Sequence, residues 1–127
     1  MKKLTLLLSG LLFTVLSFSQ GVDFISKEDF KKKNTGITVV EFWANWNKGN
    51  QYQDLADLKD CKAYRVCIES NMELANKYQI ISVPTIIVFN NGEERYRYEA
   101  NVSFQLQTAP TYIQEKIEEI LIERFRW

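Results

Sequence analysis

The chain has 127 residues, 46% hydrophobic and 25% charged, with acids and bases in equal number. Such values fit one globular domain and exclude a disordered, collagenous or disulfide-dense chain, and a formal charge of zero gives no electrostatic basis for holding nucleic acid or an anionic membrane surface. Histidine is absent and the only cysteines, Cys61 and Cys67, match neither a C-x-x-C pair nor a zinc knuckle, so the commonest general base and metal ligand are missing and neither metal nor cofactor is expected.

The first segment, MKKLTLLLSGLLFTVLSFS, reads as a secretory signal peptide over residues 1–19. Lys2 and Lys3 form its positive start, Leu4 to Phe18 its uncharged apolar run, and Ser17 and Ser19 the small residues ahead of cleavage before Gln20. The run is short for a membrane-spanning helix, which needs about 20 residues. No cysteine follows that would carry a lipid anchor. The expectation is an exported bacterial protein, periplasmic or extracellular, whose domain spans 20–127 and which meets a membrane only through this segment before cleavage. Its compartment would permit disulfides.

Within 20–127, Ser26 to Asp29 resembles a capping box ahead of a helix at 27–33, with Phe24 and Phe30 packing it down. Lys31, Lys32 and Lys33 read as its solvated end. Ile37 to Trp43 is apolar at nearly every position, which predicts a central strand covered on both faces. A polar turn follows, Trp46 to Asn50, then a predicted helix from about Asn50 to Leu58 with Tyr52, Leu55 and Leu58 inward. Ala63 to Glu69 predicts a strand with Tyr64, Val66 and Ile68 on one face. Met72 to Tyr78 predicts a helix with Leu74 and Ala75 inward. Thr85 to Phe89 predicts another buried strand. Asn90-Asn91-Gly92 is a hairpin turn, and the alternating Tyr and Arg of 94–99 suit an edge strand. After a polar loop at 101–108, Thr108 is expected to cap a last helix with Pro110 in its first turn and Ile113, Ile117, Ile120, Leu121 and Phe125 at helical spacing. The order α-β-α-β-α-β-β-α gives an α/β domain: a mixed sheet, parallel through its βαβ part, with helices on both faces.

Two stretches, VVEFWANW at 39–46 and NKYQIISVPTIIVFNNG at 76–92, together with their separation, resemble the thioredoxin family over about Val22 to Phe125. The resemblance implies the thioredoxin fold, places Trp46 on the family's active-site tryptophan, and places Val83-Pro84-Thr85 on its cis-proline segment, which faces the active site. It also exposes a departure. Asn47 stands where the family has its first active-site cysteine and Asn50 where it has the second. The family's first cysteine is a thiolate nucleophile and its second resolves the mixed disulfide. An asparagine amide does neither, though asparagine is a good helix N-cap. The turn is then retained either as scaffold or as a docking surface for another polypeptide. In the second case Trp43, Trp46, Asn47, Lys48, Gly49, Asn50, Val83, Pro84 and Thr85 would form the surface, because the family pairs an extended peptide with the backbone beside the cis-proline.

Glu41 falls where the family carries a buried acid that serves the second cysteine, and Arg65 where it often has a lysine, so a structural Glu41–Arg65 ion pair is expected. The predicted strand puts Cys61 and Cys67 roughly 20 Å apart, beyond disulfide reach. Cys67 would be a free thiol near the active-site end of the sheet. The functional expectation is an exported thioredoxin-like protein without the redox-active pair, a polypeptide-binding or assembly module in the cell envelope. The alternative is a weak or monothiol thiol-disulfide oxidoreductase working through Cys67. A structural subunit using Tyr96, Tyr98, Phe104, Phe125 and Trp127 as interface aromatics is a third reading.

Overall fold

The computed structural model describes residues 22–126; the expected signal segment over 1–19 and Trp127 lie outside them. The strands are β1 (Asp23–Phe24), β2 (Ile37–Trp43), β3 (Lys62–Cys67), β4 (Thr85–Asn90) and β5 (Glu93–Glu99), and the α-helices are α1 (Lys27–Lys33), α2 (Met72–Lys77) and α3 (Pro110–Glu123). They form one sheet in the order β1-β3-β2-β4-β5, with β1, β3 and β2 parallel and β4 and β5 antiparallel. This is the mixed α/β sheet expected from the sequence, with β2 at its centre and β5 at an edge.

Every residue of β2 is buried, because each of its faces carries a separate core. Ile37 and Val39 join Ile86 and Val88 under Ile113, Ile117 and Ile120 of α3. Val40 and Phe42 join Val66, Ile87 and Phe89 under Phe30 of α1 and Leu74 of α2. A continuous apolar run is therefore the pattern that a two-sided strand demands. The hairpin turn has Asn91 at φ 52° and Gly92 at φ 85°, the paired left-handed conformation that fits the twist of two antiparallel strands.

Four expectations need correction. The helix predicted over 50–58 is replaced by two 3₁₀ segments, Asn45–Asn50 and Leu55–Asp57. The cause is a competition for backbone groups. Glu41 Oε2 accepts the Tyr52 N–H at 2.8 Å and Arg65 Nη2 donates to the Tyr52 carbonyl at 2.7 Å, so that residue's backbone is withdrawn from any helical ladder. Tyr52 and Leu55 still bury their side chains as expected, because the chain stays against the same core. Second, Thr108 is not the cap of α3: Ala109 holds that position, and the Thr108 carbonyl instead accepts the Tyr52 hydroxyl at 2.6 Å. Pro110 does open the helix. Third, Ser26 precedes α1 but its side chain makes no cap bond; Asn71 Oδ1 takes the Lys27 N–H at 2.8 Å. Fourth, Phe24 and Phe125 are exposed. Phe24 lies in β1 and packs its ring on Trp43 at 5.6 Å, while Phe125 falls beyond the end of α3.

Candidate functional site

Three segments meet beyond the end of β2: the 3₁₀ turn Asn45–Asn50, the 82–85 segment with its cis Val83–Pro84 bond, and the 101–108 loop. Asn47 ties them together. Its Nδ2 donates to the Val83 carbonyl at 3.1 Å and to the Phe104 carbonyl at 3.0 Å, and its Oδ1 accepts from Asn50 Nδ2 at 2.7 Å. One buried side chain thus uses both amide protons and its oxygen. The expectation that the two asparagines cap a helix is overturned: the turn starts at Ala44 without a side-chain cap, and the amides face inward to the other two segments.

The loop is shaped to deliver its carbonyl. Asn101 Oδ1 accepts the N–H groups of Ser103 and Gln105 at 2.9 and 3.1 Å, and the Asn101 carbonyl accepts the Phe104 N–H at 2.9 Å. Phe104 sits at φ 59°, a left-handed backbone that a bulky residue adopts only when its surroundings enforce it. The Phe104 ring meets the Trp46 ring edge-on, centroids 5.1 Å apart at 87°. Phe104 is the one aromatic in the 101–108 loop and was the sequence signal for this closure; from the sequence it was expected only as an interface aromatic.

The residues singled out from the sequence do come together, but they divide by exposure. Trp43, Asn47, Val83, Pro84 and Thr85 are buried, Asn50 is half-buried, and Trp46, Lys48 and Gly49 are exposed. A docking surface formed by all nine side chains is therefore not what the fold presents. Trp46 (60% exposed), Phe104 (44%) and Ile81 (83%) are exposed apolar groups around a small cleft that Ile68 and Ile80 also line, and Val102 of the same loop as Phe104 is exposed beside them in sequence. The Trp43 indole N–H is buried without a hydrogen-bond partner among the described residues.

Glu41 and Arg65 are register partners on β2 and β3 and form the expected ion pair, Arg65 Nε to Glu41 Oε1 at 2.8 Å, with the carboxylate fully buried. Burial raises the Glu41 carboxyl above its ordinary range, and the Tyr52 N–H and Arg65 only partly offset this. The Tyr52 phenol is likewise pushed up to about 12, chiefly by burial and then by Asp54.

Both cysteines are free thiols. Cys67 is opposite Trp43 at the site end of the sheet, and its Sγ lies 3.6 Å from Glu69 Oε1 and 3.9 Å from Asn45 Nδ2. No cation is among these contacts, whereas activated thiolates are usually paired with one. Cys61 stands just before β3, packs against the α3-side core, and has its thiol pushed up to about 11 by burial and by Asp60. A thiol reagent at pH 8 is therefore expected to label Cys67 well before Cys61, since the thiolate is the reacting form. Cys61→Ser should delete only the slow phase in a stopped-flow trace, and loss of the fast phase instead would contradict the assignment.

Among the described residues, no group of three or more acids or cysteines is placed to hold a metal ion, and no helix is long and apolar enough to cross a membrane.

The architecture and the order of these segments agree with the comparisons. Solved structures of the Malassezia sympodialis thioredoxin (TM-score 0.55, 22% identity, 80% of this chain and 91% of that one) and of a mutant thioredoxin from Halobacterium salinarum (0.60, 18%, 80% and 95%) share the fold. Thioredoxin of Staphylococcus epidermidis is 34% identical over 77 residues, covering 54% of this chain and 74% of the relative. Thioredoxin of Mycoplasma genitalium is 36% identical over 72 residues, covering 52% and 68%. The thioredoxin family model matches residues 21–110, which is most of the chain, and with the two-sided sheet and the cis Val83–Pro84 bond beside the 45–50 turn it makes this chain a member of the thioredoxin family.

Proposed function

We propose that this is an exported thioredoxin-like protein that has given up cysteine-pair chemistry and works as a polypeptide-binding or assembly module in the cell envelope. The observation that carries the reading is the state of Asn47. At the position where the family resemblance puts the attacking thiol stands a buried amide, fully committed to the Val83 and Phe104 carbonyls. Such a group supplies no thiolate, and its bonds hold the site closed. What remains open is the apolar ridge of Trp46, Phe104 and Ile81, and exposed aromatics of this kind are common anchors for a partner chain.

Two measurements test the reading. The protein lacking residues 1–19 is expected to reduce insulin disulfides no faster than its Cys61→Ser/Cys67→Ser variant; reduction that depends on its own thiols overturns the redox-inactive part. In a pull-down from the envelope, Trp46→Ala is expected to weaken a specific partner by about 2 kcal/mol or more, the typical loss at an interface hot spot. Equal retention by both proteins means that the ridge is not the docking site.

Two observations favour a second reading, a monothiol oxidoreductase using Cys67: that thiol is half-buried at the site end of β3, and the relatives are thioredoxins. The insulin assay decides between the two, because only the second reading requires Cys67→Ser to abolish a measurable rate.

A further inference from the structure

A cavity of about 760 Å³ lies away from the site, on the α1–α2 side of the sheet. That is within the range of small-molecule pockets. We propose that it binds a small amphipathic anion: an aromatic or aliphatic body carrying a carboxylate or similar head group.

The floor supplies the apolar part. Phe30, Leu74 and Tyr78 line the cavity, and the first and last belong to an aromatic cluster. Phe30 and Tyr78 have ring centroids 5.7 Å apart, and each meets Phe89 nearly edge-on at 5.7 and 5.3 Å. Such a cluster presents a rigid surface to a ligand ring. The rim supplies the charge. Lys27, Lys31 and Lys77 stand around the opening, and the only acid lining it is Glu73. Lys27 is spent on Glu73, with Nζ bonded to its carboxylate at 2.9 Å. Lys31 and Lys77 have no carboxylate within ion-pair distance among the described residues; the Lys77 ammonium lies over the Tyr78 ring, 5.4 Å from its centroid. The rim therefore has two uncompensated positive charges above an apolar floor.

A polar group in the wall completes the argument. Asn34 is more than nine-tenths buried, lines the cavity, and has an Oδ1 with no hydrogen-bond partner among the described residues. A buried acceptor left unpaired is costly, and a ligand hydroxyl or amide reaching this wall would satisfy it once the side chain turns toward the opening.

The test is a titration followed by ¹H–¹⁵N NMR, with 3-phenylpropionate as the probe and 3-phenylpropan-1-ol as its neutral counterpart. Saturable shifts confined to the amides of 27–35 and 73–78 are expected, with the alcohol binding about fivefold more weakly. Lys31→Glu/Lys77→Glu should weaken the carboxylate about tenfold and leave the alcohol unchanged, in keeping with two partly exposed ion pairs. Should that variant fail to fold, raising the salt to about 0.5 M on the unaltered protein must weaken the carboxylate alone, since only charge is screened. Shifts that do not saturate, that map elsewhere, or that are equal for acid and alcohol overturn the proposal.

Discussion

Arg65→Leu is expected to destabilise the protein by about 3–5 kcal/mol at neutral pH, the usual loss when one member of a buried ion pair is removed. Glu41 is fully buried, and the lost guanidinium holds both its Oε1 and the Tyr52 carbonyl. The penalty should depend on pH in a defined direction. Burial already raises the Glu41 carboxyl above its ordinary value of 4.5, and removing Arg65 deletes two of the influences that lower it, so it rises further. An acid raised in the folded state contributes stability below its unfolded pKa and loses that contribution as pH climbs through the folded one. The variant's deficit is therefore smallest near pH 4, where Glu41 takes up a proton and needs no counter-ion, and reaches its full size toward neutrality. Urea denaturation of both proteins at several pH values measures this directly. A deficit that is the same at pH 4 and pH 7 would contradict the pairing as its cause. Glu41→Leu/Arg65→Leu should recover much of the loss, because a buried pair exchanged for apolar groups is often neutral. What it would not recover is the bonding of the Tyr52 backbone.

Asn47→Ala is expected to cost about 2–4 kcal/mol, since it strands two carbonyls that are at least partly buried and removes the partner of Asn50. The loss should be accompanied by release of the 101–108 loop. Faster hydrogen exchange at Ser103 and Gln105, and a change in Trp46 fluorescence as Phe104 leaves its ring, would report it. Asn47→Asp is the informative companion: it keeps the shape and the acceptor for Asn50 but loses both donors to Val83 and Phe104. Equal loop protection in Asn47→Ala and the parent would refute the clasp.

How much of this was legible beforehand follows from the range of each interaction. β2 could be read because a strand buried on both faces must be apolar throughout, and α3 because Ile113, Ile117 and Ile120 repeat at the helical period. Phe125 fits the same period and was misplaced, since periodicity does not say where a helix stops. β1 is two residues long and leaves no pattern to find. The 50–58 helix failed for a different reason: its local propensity was outweighed by Glu41, eleven positions away, and Arg65, thirteen away. The Asn47 clasp spans 36 and 57 positions to Val83 and Phe104, so no local rule could disclose it. The family resemblance located the segment and the Glu41–Arg65 pair but suggested capping, where the structure has cross-linking.

The missing crossover helix also bears on the order in which the chain organises itself. Between β2 and β3 the backbone passes through residues 44–61 with only two short 3₁₀ segments. A regular helix there would shorten the search by forming locally before the parallel strands meet. Without it, the entropy of closing that loop is offset only once β2, β3 and the buried pair come together. The β4–β5 hairpin, closed by a two-residue turn, has no such delay. Assembly therefore favours the hairpin side early, with the parallel strands, and the candidate site beyond the end of β2, completed last.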